Sequence, residues 1–362
     1  MPKWGLSMET GIVNGWLKNV GDVVARGDEL VEVETTKINS AVEAPFSGVL
    51  RRQTVATGDE MPVGALLGVV CAADVDEAAI DAVVGDFKVE DAPKTREGAD
   101  AAAPEKRVFN NYTLRFLKRG DADSTLLLLH GFGGDLNNWL FNHEALAAHH
   151  TVYALDLPGH GESTKALRGG DLDDLVATVA AFAEDLELPS LHVVGHSLGG
   201  AVALGFAKAH PERVASVTLV ASAGLGEEID GAYIEGFVKA NSRSALKTQL
   251  AKLFAREDLV TRQLIDDVLK YKRLEGVEHN LGRLADSLFK DGRQAVSFRD
   301  DLATIAPRLH VIWGELDRVI PATHAAAVPG RLQIIPNAGH MVQMEAASDV
   351  NRFIEASVAT PA

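Results

Sequence analysis

The feature that most constrains the fold is an internal repeat in the first 73 residues. A shift of 37 positions superposes glycines and aliphatic residues: Gly11 on Gly48, Gly21-Asp22 on Gly58-Asp59, Gly27 on Gly64, Leu30 on Leu67 and Val33 on Val70. The Gly-Asp pairs predict tight turns, because glycine accepts positive φ and aspartate can bond its own backbone. The short aliphatic runs between them predict strands. Residues 1–73 should therefore form an all-β domain in which two similar sets of strands share one core.

The composition changes over residues 74–106, which are rich in Ala, Asp, Glu, Lys and Pro and contain ten acidic and four basic residues. Such a segment cannot bury enough apolar surface to offset its ordering entropy. Residues 76–87 are compatible with one short helix, and the rest predicts a flexible linker.

From residue 107 to residue 362 strand, loop and helix patterns alternate. The strand candidates are 125–129, 151–155, 191–194, 214–221, 309–313 and 332–335, and the clearest helix candidates are 172–186 and 201–210. Continuous apolar runs alternating with helices predict a mainly parallel sheet covered on both faces. Between about 224 and 307 the sequence is charged, helix-forming and without strand runs, which predicts a helical cap over the carboxyl edge of the sheet.

Composition excludes several classes of function. The net charge of -16 repels nucleic acid and anionic lipid, and no apolar run approaches the roughly 20 residues of a membrane span. A single cysteine, Cys71, excludes an intramolecular disulfide and a multi-thiolate metal site, and it fits a reducing compartment. The start, Met1-Pro2-Lys3-Trp4-Gly5, lacks an apolar core followed by a cleavage site. We therefore expect a cytoplasmic protein that uses no metal, nucleic acid or membrane.

Lys37 lies midway between the two repeats, within Glu34-Thr35-Thr36-Lys37-Ile38-Asn39. A hairpin tip at this position would expose it. With Gly11, Trp16 and both Gly-Asp turns, this segment resembles the lipoyl domain over residues 1–73. The resemblance implies a flattened all-β barrel of the lipoyl/biotinyl type with lipoate attached covalently to Lys37. Biotinyl carriers flank their lysine with methionines, whereas Thr36 and Ile38 stand here. The alternative is that Lys37 is one exposed lysine among many. Its position midway between the two repeats is singular in the fold, and this disfavours the alternative.

A nucleophile motif lies between the strand 191–194 and the helix that follows it. Gly195-His196-Ser197-Leu198-Gly199 matches the G-x-S-x-G elbow, in which a sharp turn leaves no room for side chains beside the serine. The turn also sets the serine at a helix N-terminus, where free N–H groups favour developing negative charge. Ser197 is therefore the predicted nucleophile.

A serine hydroxyl needs a base, and the base needs an orienting acid. Asp317 follows the strand 309–313, and His340 follows the strand 332–335. The order serine, acid, histidine resembles the α/β-hydrolase family. Glu315 is the alternative acid, although its place nearer the strand disfavours it.

Two further loops extend the resemblance to α/β-hydrolases over residues 107–362. They are His130-Gly131-Phe132-Gly133-Gly134 and Asp156-Leu157-Pro158-Gly159-His160-Gly161. The first resembles the family's oxyanion-hole loop, which implies that the backbone N–H groups of Phe132 and Leu198 are the donors. Losing one such donor costs about 10²–10³ in rate. The nearby polar residues His130, His160, His196, Asp135 and Asp156 are expected to hold loops and turns.

A lipoyl domain joined to a serine acyl-transfer site resembles the acyltransferase (dihydrolipoyllysine-residue acetyltransferase) component of the acetoin dehydrogenase complex. None of the twelve histidines has Asp four positions later, so the His-x-x-x-Asp motif of other complex acyltransferases is missing. The resemblance implies that an acyl group, expected to be acetyl, is transferred from dihydrolipoyl-Lys37 to coenzyme A. Ser197 would carry the acyl group in an acyl-enzyme intermediate. It also implies three partners: a thiamin-diphosphate-dependent dehydrogenase component, a dihydrolipoamide dehydrogenase, and a lipoate ligase or transferase.

Two other functions stay open. One is an α/β-hydrolase, a thioesterase or carboxylesterase, with an appended lipoyl domain. The other is a non-enzymatic lipoyl shuttle whose hydrolase domain only docks partners. The sequence also leaves open the acyl group, the residues that bind coenzyme A, and the oligomeric state, with a homo-oligomer among the alternatives.

Overall fold

The computed structural model describes residues 10–34, 39–44, 46–87, 103–188, 190–290, 292–305 and 308–359. The chain divides into two compact units, Met1–Ala101 and Ala102–Ala362. Among the described residues, none of the helices has the length and apolar character needed to cross a membrane.

The first unit is built from antiparallel strands. They are β1 (Thr10–Trp16), β2 (Val23–Val24), β3 (Glu29–Glu34), β4 (Asn39–Glu43), β5 (Gly48–Gln53), β6 (Glu60–Pro62) and β7 (Gly68–Cys71). One sheet has the order β4-β3-β1-β6 and the other β2-β5-β7. Because β1 pairs with β6 and β2 pairs with β5, each sheet combines strands from both halves of the repeat. The all-β prediction is confirmed, although the described strands form two sheets rather than one closed barrel.

The repeated turns have the same geometry in both halves. Gly21 and Gly58 have φ of 99° and 93°, a region that glycine enters without steric cost. The Oδ2 atom of Asp22 accepts a hydrogen bond from the N–H of Asn19 at 2.7 Å, and Asp59 accepts one from Ala56 at 2.7 Å. Between the turns the aliphatic side chains fill one core: Val13, Val24, Leu30, Val31, Ala44, Val55 and Leu67.

A helix, α1 (Glu77–Asp86), follows the last strand of this unit. The Glu77 carboxylate accepts hydrogen bonds from Arg51 at 2.6 Å and Arg52 at 2.8 Å, and Ile80 on the same helix is buried. The helix therefore packs against β5. It falls inside the predicted linker, at the segment that the sequence allowed to be helical. The domain boundaries stay a prediction, and residues 88–102 lie outside the described residues.

The second unit contains one eight-stranded sheet. Its strands, together with a separate pair, are β8 (Glu105–Phe109), β9 (Tyr112–Arg119), β10 (Thr125–Leu129), β11 (Thr151–Leu155), β12 (Leu191–His196), β13 (Val214–Val220), β14 (Phe289–Lys290), β15 (Arg293–Gln294), β16 (Leu309–Gly314) and β17 (Leu332–Ile335). The sheet order is β17-β16-β13-β12-β10-β11-β9-β8. From β17 to β11 neighbouring strands are parallel, and β9 and β8 add an antiparallel edge that the sequence did not predict.

Helices connect the strands and form the cap. They are α2 (Leu140–Ala147), α3 (Leu172–Asp185), α4 (Leu198–Ala209), α5 (Gly231–Lys239), α6 (Arg243–Leu250), α7 (Arg262–Lys272), α8 (Val277–Leu288), α9 (Leu302–Ile305), α10 (Val342–Glu345) and α11 (Ala347–Ala359). Helix α3 packs with α4, and α2 packs with α11. Helix α2 connects β10 to β11, whereas α3 connects β11 to β12 on the other side of β10, so the two connections run in opposite directions across the sheet. Because such connections are right-handed, they place α2 and α3 on opposite faces. This agrees with the predicted two-sided covering.

The predicted helical cap is confirmed by α5 to α8, whereas α9, in the same interval, packs on α4. The expectation that this interval has no strands was wrong, because β14 and β15 pair as a short antiparallel ribbon. Two-residue strands give too little alternation to be recognised in a sequence.

Candidate active site

Ser197 stands between the end of β12 and the start of α4, at the carboxyl edge of the sheet. Its φ is 51°, a strained conformation for a residue with a side chain. A Cβ atom at Gly195 would collide with the carbonyl oxygen of Gly199, and one at Gly199 would collide with that of Leu129. The tight turn therefore requires glycine on both sides of Ser197.

His340 and Asp317 form a buried hydrogen-bonded pair. Nδ1 of His340 lies 2.7 Å from Oδ2 of Asp317, and the exposed fractions of the two side chains are 2% and 0%. The other carboxylate oxygen of Asp317 accepts the N–H groups of Val319 at 2.8 Å and Ile320 at 3.0 Å. Because Nδ1–H donates to the carboxylate, Nε2 of His340 carries the free lone pair that a general base needs.

Ser197 and His340 line the same cavity, which has a volume of about 60 Å³. Its wall is mostly apolar and comes largely from the cap, with side chains such as Phe237, Phe254 and Val268. A hydroxyl and an imidazole in an apolar cavity are the components of nucleophilic acyl chemistry.

The loop after β10 lies directly against the serine. A Cβ atom at Gly131 would be 3.0 Å from the Cβ atom of Ser197. Leu198 is the first residue of α4, where an N–H group has no partner within the helix. Phe132 follows Gly131 and also lines the cavity. Phe132 and Leu198 stay the predicted oxyanion donors.

Three buried histidines near the serine hold loops. Nδ1–H of His130 donates to the carbonyl of Gly131 at 2.8 Å, while its Nε2 accepts the N–H of Leu157 at 3.0 Å. His160 bonds the carbonyl of Pro158 at 2.9 Å. Burial lowers the pKa of His130 to about 4 and that of His160 to about 3, so both rings are neutral.

His196 links the nucleophile elbow to the histidine loop. Its Nε2–H donates to the backbone carbonyl of His340 at 3.0 Å, and the two ring centroids are 4.9 Å apart. Burial lowers the pKa of His196 well below its usual range. A neutral His196 therefore helps to hold the general base, His340, by bonding the main-chain carbonyl of His340.

The acidic residues singled out in the sequence occupy different positions. Asp135 accepts the N–H of Asn137 at 2.8 Å and starts a short 3₁₀ turn. Asp156 is buried and accepts the N–H groups of Leu136 at 2.8 Å and Glu162 at 2.7 Å. Burial, with Asp135 nearby, raises the pKa of Asp156 to about 7. The alternative acid, Glu315, is exposed, and the carboxylate bonded to His340 is that of Asp317.

The sequence did not reveal the part played by Glu345. Its carboxylate accepts the N–H of Gly339 at 2.5 Å, and on the cap side those of Ala255 at 2.9 Å and Arg256 at 3.1 Å. Met341 N–H also donates to the carbonyl of Leu253 at 3.0 Å. The loop carrying His340 is therefore bound to the cap. No spacing in the sequence signals this, because the partners are about 90 residues apart.

The predicted lipoyl attachment residue, Lys37, lies outside the described residues. The strands on either side of it are described: β3 and β4 form an antiparallel hairpin in which Glu34 pairs with Asn39.

Comparison with known proteins agrees with both halves of this architecture. A family model described as alpha/beta hydrolase fold matches residues 124–347, and one described as biotin-requiring enzyme matches residues 1–70. Among solved structures, a meta-cleavage product hydrolase from Pseudomonas fluorescens has a TM-score of 0.65 at 20% identity. The match covers 70% of this chain and 96% of that one, and it supports the fold.

Two relatives match almost the whole chain, and both are named dihydrolipoyllysine-residue acetyltransferase component of acetoin cleaving system. The one from Pseudomonas putida is 53% identical and covers 97% of this chain and 95% of its own length. The one from Cupriavidus necator is 45% identical and covers 98% and 95%. The chain therefore belongs to the family of dihydrolipoyllysine-residue acetyltransferases of acetoin cleaving systems, enzymes that combine a lipoyl-type domain with an α/β-hydrolase domain.

Proposed function

We propose that this chain moves an acetyl group from a lipoyl group on Lys37 to coenzyme A, with Ser197 as the intermediate acceptor. The observation that carries the proposal is the buried 2.7 Å bond between His340 and Asp317, together with the cavity that His340 and Ser197 both line. The substrates are inferred from the family to which the chain belongs. The roles of the residues are inferred from the hydrogen bonds of the site.

The described strands on either side of Lys37 are compatible with a lipoyl attachment site. The β3-β4 hairpin pairs up to Glu34 and Asn39, so the lysine belongs to the short connection between two paired strands. A side chain on such a connection can carry a long arm without disturbing the core. When attached, the lipoyl group supplies a thiol that holds the acetyl group as a thioester.

In the first half-reaction Nε2 of His340 takes the proton of the Ser197 hydroxyl as Oγ attacks the thioester carbonyl carbon. Asp317 keeps the proton on Nδ1 and stabilises the imidazolium that forms. The N–H groups of Phe132 and Leu198 donate to the developing oxyanion. As the C–S bond of the acyl donor breaks, His340 would give its proton to the leaving thiol sulfur.

In the second half-reaction the thiol of coenzyme A gives its proton to Nε2 of His340, and the sulfur attacks the carbonyl carbon of acetyl-Ser197. The tetrahedral intermediate collapses with cleavage of the bond to Oγ, which takes the proton back from His340. The mostly apolar wall of the cavity offers few groups that would hold a competing water.

The proposal extends to the setting of the reaction. A thiamin-diphosphate-dependent dehydrogenase component loads the lipoyl group, and a dihydrolipoamide dehydrogenase reoxidises it. A lipoate ligase or transferase modifies Lys37. The single cysteine, Cys71, fits a reducing compartment, the cytoplasm.

A test mixes the lipoylated protein with S-acetyl-dihydrolipoamide and coenzyme A and measures acetyl-coenzyme A against free acetate. We expect acetyl-coenzyme A to be the main product, and Ser197→Ala to abolish its formation. Predominant acetate would make the protein a thioesterase with an appended lipoyl domain. Unchanged transfer by Ser197→Ala would leave the hydrolase domain as a docking scaffold.

A further inference from the structure

The cavity beside Ser197 is small for the number of side chains that surround it. Its volume is about 60 Å³. An apolar protein cavity of about 150 Å³ holds one benzene molecule, which has six carbon atoms. By this comparison the space beside Ser197 holds an acyl group of two or three carbon atoms.

One wall of this cavity is a cluster of three aromatic rings. Phe237 of α5 and Phe289 of β14 both pack on Phe132, with ring centroids 6.2 Å and 5.8 Å apart and interplanar angles of 65° and 89°. These are the edge-to-face arrangements that aromatic pairs prefer. The cap therefore packs against the loop that carries the predicted oxyanion donor and forms this wall of the cavity.

Phe237 leaves no space between itself and that loop. A Cβ atom at Gly133 would collide with the Phe237 ring, and the side chain of Phe237 is buried. A longer acyl chain on this side would have to displace a ring in contact with backbone. Displacements of that kind are costly in a close-packed interior.

A buried lysine holds Phe237 in place. Nζ of Lys272 on α7 donates to the carbonyls of Phe237 at 2.6 Å and Val238 at 3.0 Å, near the C-terminal end of α5. The same ammonium lies 4.8 Å from the centroid of the Phe237 ring. A cation on the face of an aromatic ring is attractive. Both the backbone and the ring of Phe237 are thus fixed by a second helix of the cap.

We propose that Phe237 is the residue that determines acyl-chain length, limiting the acyl group on Ser197 to acetyl or propionyl. The inference rests on the proposed acyl-serine.

The test compares full-length wild type, Phe237→Leu and Phe237→Ala on p-nitrophenyl acetate, butyrate and hexanoate, and reads kcat/KM and the mass of acyl-Ser197. One extra methylene changes kcat/KM by roughly 10–200-fold at a selective hydrophobic pocket. Because of this selectivity, we expect the kcat/KM of wild type for the acetate ester to exceed that for the hexanoate ester by at least about 10-fold. Both variants should reduce or invert this ratio.

Phe206→Leu is the matched control, because Phe206 is also a fully buried phenylalanine but lies on α4 and does not line the cavity. It should keep the wild-type ratio. Each ratio is taken within one preparation, so partial loss of folded protein cancels. The proposal is overturned if wild type accepts hexanoate as well as acetate, or if folded Phe237→Leu keeps the wild-type ratio. The ester assay reads only acylation of Ser197, so a failure of transfer to coenzyme A would be seen separately.

Discussion

Oδ2 of Asp317 accepts two hydrogen bonds, one from Nδ1 of His340 at 2.7 Å and one from Nε1 of Trp313 at 2.9 Å. Its Oδ1 is engaged by two backbone N–H groups. All of these partners are donors, so the position requires a group that only accepts. A carboxylate meets this requirement, and an amide does not.

Asp317→Asn should therefore lower kcat for acetyl transfer by about 10⁴, because the amide nitrogen would face Nδ1 and favour the wrong imidazole tautomer. Steady-state rates at saturating donor and coenzyme A give the comparison. Glu315→Gln is the matched control and should keep a rate close to wild type. If Glu315→Gln were the impaired variant instead, the orienting acid would have been misassigned.

Glu345 should position the histidine loop through the cap. In Glu345→Gln one carboxylate oxygen becomes an NH₂ group, so at least one of the N–H groups of Gly339, Ala255 and Arg256 loses its acceptor. Leaving such a group unsatisfied costs about 1–3 kcal/mol. We expect a fall in the unfolding free energy of that order, measured with urea, together with a lower kcat.

Glu144→Gln provides the comparison for Glu345, since the exposed carboxylate of Glu144 forms a long ion pair with Arg119 at 3.8 Å. Exposed pairs contribute about 0–1 kcal/mol. A merely structural role for Glu345 would lower stability and leave kcat and KM of the remaining folded enzyme unchanged. That outcome would contradict its coupling to His340.

The sequence predicted those parts of the fold that depend on a local sequence pattern alone. The strands Thr125–Leu129, Thr151–Leu155 and Leu332–Ile335 have the bounds predicted for them, because each is a short run rich in aliphatic residues. Ser197, Asp317 and His340 were predicted together because the chemistry requires these three residue types, and the α/β-hydrolase family has them in the order serine, acid, histidine.

The parts that were missed depend on tertiary contacts. Strand β8 begins with Glu105-Lys106-Arg107, whose side chains are exposed at the edge of the sheet, so its composition resembles that of the linker. The acceptor role of Glu345 arises only when the cap folds over the sheet and brings Ala255 to it. Neither feature has a periodicity that a sequence could display.

The neutral form of His130 predicts a pH dependence of stability. Its Nε2 accepts the N–H of Leu157, and burial lowers its folded-state pKa from 6.5 to about 4. As the pH falls below 6.5, His130 binds a proton in the unfolded state but not in the folded state. The unfolding free energy therefore decreases until the pH reaches about 4. The contribution of His130 is complete above pH 6.5.

Urea unfolding of wild type and His130→Asn across this pH range isolates the contribution of His130. Asparagine keeps a donor and an acceptor but does not titrate, so its stability should depend less steeply on pH. Groups remote from His130 titrate in both proteins and cancel in the difference. The charge of His130 also lowers the pKa of His160, so the change at His160 is part of the measured effect. Parallel pH profiles would show that His130 does not account for the slope.

Lys37→Arg should remove the lipoyl group and nothing else. Intact mass of protein expressed with lipoate should show the added mass in wild type and in Lys18→Arg, a control in the same domain, and not in Lys37→Arg. The variant should lose acetyl transfer from the assembled complex but still use free S-acetyl-dihydrolipoamide, because Ser197 is unchanged. A lipoyl mass retained in Lys37→Arg would assign the attachment to another residue.

Helix α1 should stabilise the first unit although it lies in a segment whose composition resembles a linker. Ile80 is 2% exposed, and replacing a buried isoleucine with alanine costs about 2–5 kcal/mol. Val83, three residues along, is 56% exposed, so Val83→Ala should have little effect. Hydrogen exchange of β5 peptides in the full-length chain measures the difference, because Arg51 and Arg52 of this strand bind Glu77 of the helix. Faster exchange in Ile80→Ala than in Val83→Ala is the expected result. Equal rates would mean that the helix is attached to the unit only through exposed ion pairs, which hold it weakly.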